Sequence, residues 1–180
     1  MNSELDALRA VLARLEGAGI PYMLTGSVAM SVYAEPRMTR DIDIVVELAP
    51  GDAQRVTELF SPDYYVSQEA VQSAIAEEKM FNLFDLSRLV KVDLIVRKDE
   101  EFQRHEFARR QRRELGGSSA WVISKEDLIL SKLVWAASSE SAMQLRDVGK
   151  LLASGADEAY LREWSVRLGV DDLLRKCIDA

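Results

Sequence analysis

The chain has 180 residues, 48% of them hydrophobic, and 23 basic against 30 acidic side chains give a formal net charge of −7. This length corresponds to one domain, or to one domain with a small appendage, and is sufficient for a buried core. The negative charge argues against wrapping of nucleic acid over the whole surface. No apolar stretch approaches a membrane span and no basic-then-apolar leader is seen. We therefore expect a cytoplasmic protein without a membrane partner.

The rare residues exclude several catalytic chemistries. The single histidine, His105, lies in a charged segment, is expected at the surface and cannot supply a histidine-rich metal site. The single cysteine, Cys177, forms no internal disulfide and is expected to be a partly buried small hydrophobic residue. Neither the P-loop nor the Rossmann glycine motif occurs, so a nucleotide site must depend on other residues.

The predicted elements begin with an amphipathic helix capped at Ser3. The apolar run 22–24 precedes Gly26, Ser27 and a short helix-compatible segment, which favours the order strand, tight turn, helix. Gly26 lets the backbone approach a ligand. Ser27 can cap the helix while its hydroxyl and the free N–H groups face an anion. A nucleoside triphosphate fits such a turn.

Two carboxylates alternate along the next apolar segment, residues 41–46. Because strand side chains alternate between faces, Asp41 and Asp43 point to the same side. Their Cα atoms are roughly 6 to 7 Å apart at the usual rise per residue, close enough to share one Mg²⁺ or to hold two. Like charges at this range raise at least one pKa, and Mg²⁺ relieves the repulsion while also accepting waters and phosphates as ligands. The pair therefore predicts a metal site.

A third carboxylate, Asp93, lies in another alternating segment, residues 90–96, opposite its apolar face. If this strand neighbours the first, Asp93 joins Asp41 and Asp43 at the metal or accepts a proton from an incoming hydroxyl. Residues 80–85 form the preceding strand of a hairpin.

The remaining patterning is mostly helical. We expect a helix after Pro50, a short strand at 64–66 and a helix at 68–78. The glycine- and serine-rich segment 116–119 is expected to be flexible. Ser124 caps a further helix, and the chain after it is expected to be helical.

One dense positive run extends from Arg109 to Arg113. If it is helical, Arg109, Arg112 and Arg113 share a face that can bind a polyanionic acceptor such as tRNA. The alternative, which we favour, is a solvated face paired with neighbouring glutamates. No aromatic residues are interleaved from Arg109 to Glu114, which argues against stacking on single-stranded bases.

The order Gly26-Ser27, Asp41-x-Asp43 and Asp93 resembles the signature of the nucleotidyltransferase superfamily related to DNA polymerase beta. The match is best to its minimal bacterial branch, which includes AbiEii-type abortive-infection toxins and small transferases. That branch has an Arg-x-Thr-x-Asp-x-Asp stretch, matched here by residues 37–43. The segments around Lys132 and Asp147 resemble its later helical motifs. The resemblance extends over residues 23–152, but only its first part is specific.

The resemblance also implies roles for individual residues. The three acids would bind Mg²⁺ or Mn²⁺: Asp41, Asp43 and Asp93. The nucleotide phosphates would be held by Gly26 and Ser27, with Arg37 and Thr39 either contacting phosphate or shaping the loop that enters the strand. Lys132 and Asp147 would complete the site. From the residues alone, Lys132 can equally extend into water and Asp147 can lie on an exposed helix face.

The implied fold class is α/β (α+β), with a nucleotidyltransferase-like mixed sheet flanked by helices in residues 1–123 and a C-terminal helical subdomain in residues 124–180. The implied activity is transfer of an NMP from an NTP to a hydroxyl of RNA, protein or a small molecule. An AbiEii-like toxin with an antitoxin partner is the version we consider first. The alternative is a protein that keeps this fold without catalysis and acts by association with a partner.

Overall fold

The computed structural model describes residues 3–35 and 41–179. Its strands are β1 (Tyr22–Leu24), β2 (Ile42–Val46), β3 (Tyr64–Tyr65), β4 (Met80–Asp85), β5 (Val90–Val96), β6 (Gln111–Leu115) and β7 (Ser118–Val122). Its helices are α1 (Ser3–Gly17), α2 (Gly26–Met30), α3 (Ala53–Phe60), α4 (Gln68–Glu77), α5 (Glu101–Ala108), α6 (Lys125–Ser139), α7 (Ala142–Ala153), α8 (Glu158–Leu168) and α9 (Asp171–Ile178). None of the helices in these ranges is long and apolar enough to cross a membrane.

The seven strands form one mixed sheet in the order β3-β4-β5-β2-β1-β7-β6. β2 pairs in parallel with β5, and β1 with β7, while the other neighbours are antiparallel. Helices flank this sheet, and α6 to α9 follow its last strand. The predicted mixed-sheet fold class is therefore confirmed, whereas a domain boundary at residue 123 stays a prediction.

The two faces of the central strands differ in chemistry. On β2 and β5 the alternate positions Ile42, Ile44, Val92 and Leu94 are each at most 1% exposed and join the main core. Helix α1 packs against β5 and α4 packs against β4. Burying each such aliphatic side chain contributes about 1.5 to 3 kcal/mol. The positions between them face the opposite side of the sheet, where the predicted carboxylates lie.

The basic run does not form a helix, so the condition under which Arg109, Arg112 and Arg113 would share a helix face is not met. Helix α5 ends at Ala108, and Gln111–Leu115 is the edge strand β6. It pairs with β7 through a two-residue turn at Gly116 and Gly117, whose φ angles are +58° and +84°. The pattern is hard to recognise because β6 is charged on both faces. Its stability comes from backbone pairing with β7, and charges on an edge strand discourage pairing with other chains.

Both rare residues pack against the helices. His105, expected at the surface, is half-buried and stacks on Trp164 with ring centroids 4.6 Å apart. The reason is that Glu101 and Arg104 lie on the exposed side of α5, while the His105 ring faces Trp164 on α8. Cys177 is partly buried against the core, as expected.

Candidate active site

Two of the predicted carboxylates lie side by side on neighbouring strands. In the parallel register of β2 and β5, Asp43 is opposite Asp93, so both side chains project from the same face of the sheet. Asp43 is also tied to β1, because the backbone N–H of Thr25 donates to its carbonyl at 3.1 Å. The sequence left the adjacency of these strands as a condition, and the structure confirms it.

Asp41, the remaining predicted acid, is connected to this pair through Lys91. Asp93 is 6% exposed and accepts hydrogen bonds from the Asn82 amide and from Lys91 Nζ, the latter at 3.0 Å. Lys91 Nζ also lies 4.0 Å from Asp41 Oδ1. The side chain of Asp41, just before β2, is 66% exposed. Asp41 therefore stands at the solvent-facing rim, and Asp93 lies deeper.

The surroundings of Asp43 disfavour its charged form. Burial, followed by the negative charges of Asp93 and Asp41, raises its pKa from an ordinary value of 3.8 to about 6, although Lys91 and Lys132 act in the opposite direction. The local excess of negative charge is the condition that a bound divalent cation relieves.

Gly26 is required by its backbone and by its neighbour. Its φ is +63°, and a Cβ at this position would lie 2.9 Å from Asp43 Cγ, so there is no room for a side chain. Helix α2 begins at Gly26, and its N-cap is Thr25, which makes no side-chain cap. Ser27 therefore lies inside the first turn, and the prediction that it caps the helix is wrong. It is 8% exposed and lines the cleft described next.

A cleft of about 740 Å³ extends over this face of the sheet. It is bounded by β2 and β5 on one side and by α5, α6 and α7 on the other, and its lining includes the predicted residues Gly26, Ser27, Asp41, Asp43, Asp93 and Lys132. The structure thus brings six predicted site residues to one cavity. Arg37 and Thr39, the remaining predicted phosphate contacts, lie outside the described residues.

Lys132 is held from behind by the last predicted site residue. Its Nζ donates to Asp147 Oδ2 at 2.8 Å and to Gln144 Oε1 at 3.0 Å, and both charged side chains are 4% exposed. The alternatives drawn from the residues alone, a lysine extended into water and an aspartate on an exposed helix face, are therefore wrong. Asp147 acts on the cleft through Lys132 and does not line it.

The residues fit a divalent cation that arrives with its substrate. Within residues 3–35 and 41–179, no set of three His, Cys, Asp or Glu side chains is arranged closely enough to hold a metal on its own. Asp43 and Asp93 nevertheless offer adjacent carboxylates at a site with excess negative charge. Mg²⁺ is commonly held by one or two carboxylates together with waters and substrate phosphates. The donor set therefore suits Mg²⁺ or Mn²⁺ bound to a nucleotide.

Sequence reasoning missed the polar residues that α5 contributes. Glu106 is 7% exposed and accepts a hydrogen bond of 2.7 Å from the Ser131 hydroxyl. Burial, with a smaller contribution from the charge of Asp127, raises its pKa to about 8, while the Ser131 hydrogen bond lowers it. One turn earlier, Gln103 lines the same cleft. The available signal was the pair of buried residues Phe102 and Phe107, which fixes the inner face of α5.

The arginines of the basic run bind separate partners. Arg109 Nε donates to Asp127 at 3.0 Å, and Arg112 donates to Glu16 at 2.7 Å. Arg110 lies over the Phe107 ring, 4.2 Å from its centroid. The run therefore does not present one continuous basic face. Pairing with carboxylates agrees with the interpretation that we favoured, but Glu16 and Asp127 are distant in sequence.

No protein-family model matches the chain, and no curated protein matches it. Solved structures do. An antigenic nucleotidyltransferase-like protein from Paracoccidioides brasiliensis superposes with a TM-score of 0.55 and 20% identity, over 84% of this chain and 75% of that one. The lincosamide antibiotic adenylyltransferase LnuA superposes with a TM-score of 0.55 and 16% identity, over 84% of this chain and 96% of that one. The antibiotic-resistance factor ANT(2'')-Ia superposes with a TM-score of 0.55 and 15% identity, over 90% of this chain and 91% of that one. The chain therefore has the fold of nucleotidyltransferase-like proteins.

Proposed function

We propose that this protein is a nucleotidyltransferase that uses Mg²⁺ or Mn²⁺ to transfer an NMP from an NTP to a hydroxyl acceptor. The observation that carries the proposal is that Asp43 and Asp93 are register partners on neighbouring strands. They lie beside the turn at Gly26, where a Cβ would be 2.9 Å from Asp43 Cγ. The solved structures of the same fold include adenylyltransferases, which supports this class of reaction.

Each part of the cleft has a role in this proposal. Asp43 and Asp93, with Asp41 at the rim, would hold the metal ion together with the substrate phosphates, and the ion would neutralise phosphate charge and favour ionisation of the acceptor hydroxyl. The backbone at Gly26 and Ser27 holds the phosphates. Arg37 and Thr39 stay predicted phosphate contacts. Lys132, oriented by Asp147, balances negative charge on the opposite wall.

The reaction is a displacement at the α-phosphorus of the NTP. The acceptor oxygen forms a new P–O bond, the bond between the α-phosphorus and the bridging oxygen of the β-phosphate breaks, and pyrophosphate leaves with that electron pair. The proton of the acceptor hydroxyl passes to a carboxylate of the cleft, and accepting it is the alternative role of Asp93 to binding the metal. Holding both reactants in line accounts for much of the rate enhancement of such transfers.

Membership of a toxin–antitoxin system, with an antitoxin as partner, stays a prediction of the sequence resemblance. A neighbouring reading frame that encodes a small DNA-binding protein, and its co-purification with this chain, would support it. A measurement of nucleotidyl transfer distinguishes the non-catalytic alternative, because a protein that acts only by association transfers no NMP.

The decisive experiment incubates the purified protein with each α-labelled NTP, Mg²⁺ or Mn²⁺, and cellular RNA, protein and small molecules. We expect label to enter one fraction and chelation of the metal to abolish this. Asp43→Asn should lower transfer about 100-fold or more, because several kcal/mol of charge stabilisation are lost. Asp172→Asn, on exposed α9, is the matched control. No transfer by the wild type under any condition would favour the associating role.

A further inference from the structure

The floor of the cleft consists of two rows of side chains with different chemistry. The first row is polar and is formed by Asp43 and Asp93, and Asn82, the register partner of Asp93 on β4, continues it beyond the lining. The second row, one side-chain period or roughly 6 to 7 Å further along the strands, is apolar. It is formed by Met80 on β4, Ile95 on β5 and Val45 on β2, and Ile95 is the register partner of the other two.

A polar group lies at the same end of the cleft as the apolar row. Helix α5 follows β5 and places Gln103 and Glu106 in the lining. The side-chain oxygen of Gln103 is buried, and among the described residues it has no hydrogen-bond partner. An unsatisfied buried acceptor costs about 1 to 3 kcal/mol, so it points to a ligand that supplies an N–H or O–H group. Glu106 beside it has a pKa of about 8 and is therefore mostly neutral at pH 7.

Two large apolar side chains line the opposite wall. Trp135 on α6 is 54% exposed and Met143 on α7 is 46% exposed, and both face the cleft. An aromatic ring in this position offers a flat surface for an apolar ligand body.

Among the described residues, three cationic side chains line the cleft, and each lies beside a carboxylate. Lys132 is paired with Asp147, Arg97 lies 3.3 Å from Glu47, and Lys98 lies 4.0 Å from Glu100. Recognition of a nucleic-acid backbone depends on basic side chains that replace its counterions. In the part of the chain that the structure describes, these cations do not offer such a track.

In-line displacement places the acceptor at this end. Asp43 lies on β2, which has β1 as its neighbour on one side and β5 on the other. The turn at Gly26 follows β1, whereas α5 follows β5. With pyrophosphate leaving toward Gly26, the attacking oxygen must approach from the side of the apolar row and α5.

We propose that this end of the cleft is the acceptor subsite and that it takes a small amphipathic molecule rather than RNA or protein. Its apolar body lies between the Val45–Ile95 row and Trp135, and one of its N–H or O–H groups donates to Gln103 Oε1. The inference rests on the proposed function and narrows its acceptor to one chemical class.

The test uses the α-labelled NTPs with a bacterial extract that has been separated into RNA, protein and a small-molecule filtrate. We expect the wild type to label a new compound in the filtrate. Gln103→Leu keeps the size of the side chain but removes the acceptor, and should lower this transfer about three- to tenfold, the loss of one hydrogen bond. Trp135→Ala should lower it at least as much. Gln54→Leu, on the exposed surface of α3, is the matched control.

The affinity for a non-hydrolysable NTP analogue, measured by calorimetry, separates acceptor binding from nucleotide binding. We expect Gln103→Leu and Trp135→Ala to bind the analogue as the wild type does. Equal losses of analogue binding and of transfer would overturn the subsite, because the residues would then serve the nucleotide. Label in RNA or protein alone would overturn the inference and leave the proposed function standing. No label in any fraction would overturn both.

Discussion

Lys132, which lines the cleft, and Asp147, which lies behind it, form an ion pair of 2.8 Å in which each side chain is 4% exposed. Breaking a buried pair on one side leaves an uncompensated charge, whereas replacing both partners does not. We therefore expect Asp147→Asn to lower the free energy of unfolding by about 3 to 5 kcal/mol. The double replacement Lys132→Met, Asp147→Leu should be less destabilising than Asp147→Asn. Urea unfolding measures both, and equal destabilisation would show that packing rather than charge matters here.

Asp43 should make stability fall as the pH rises. Its pKa is raised in the folded protein from 3.8 to about 6, so between these values the folded state binds more protons than the unfolded state. The free energy of unfolding should therefore decrease from about pH 4 to pH 6 and stay lower above it. The cost is on the order of 1 to 3 kcal/mol.

Asp43→Asn should remove this cost in metal-free buffer, so its stability at pH 7 should equal or exceed that of the wild type. At about pH 4 or below the two proteins should differ little. Asp172→Asn serves as the exposed control in the same denaturant series. A marked drop in melting temperature for Asp43→Asn would instead assign Asp43 a structural hydrogen-bonding role.

Addition of Mg²⁺ should stabilise the wild type and not Asp43→Asn. A ligand that binds only the folded state raises stability by RT ln(1 + [L]/Kd). Because the donor set is completed by phosphates, we expect the rise in melting temperature to be larger when a non-hydrolysable NTP analogue is also present. An equal rise in both proteins would place the cation elsewhere.

Glu106 should behave as a buried acid that resists ionisation. Since its pKa is about 8 in the folded state, the unfolded protein loses its proton first, and stability falls as the pH rises from about 4.5 to 8. Glu106→Gln should therefore be more stable than the wild type at pH 9, by an amount on the order of a few kcal/mol. Glu69→Gln on the exposed surface of α4 is the control. Carboxyl NMR titration gives the pKa directly, and an ordinary value would contradict the prediction.

Gly26→Ala should impair both folding and transfer. The residue has a φ of +63°, a conformation that costs an L residue about 1 to 2 kcal/mol, and the added methyl group meets the Asp43 carboxylate. Gly51→Ala, where a Cβ meets open space, should be nearly neutral. Thermal melts and NTP transfer of the two variants check this. If Gly26→Ala matches Gly51→Ala, the turn does not require glycine.

Local patterning was sufficient to predict much of the fold. The alternation of apolar residues in β2 and β5, the hairpin of β4 and β5 and the order of strand, turn and helix at Gly26 all follow from neighbours in sequence. Local patterning did not predict β6, because this edge strand is charged on both faces and shows no alternation of apolar and polar residues.

The sequence alone therefore determined which side of its strand each carboxylate occupies, since that depends on the alternation of adjacent residues. Only the tertiary structure decided that Asp43 meets Asp93, that Asp147 is buried behind Lys132 and that Glu106 lies in the cleft. The physical reason is that strand pairing and loss of solvent both depend on residues far apart in the chain. The local alternation of apolar and polar residues does not show which strands become neighbours or which charged side chains are buried.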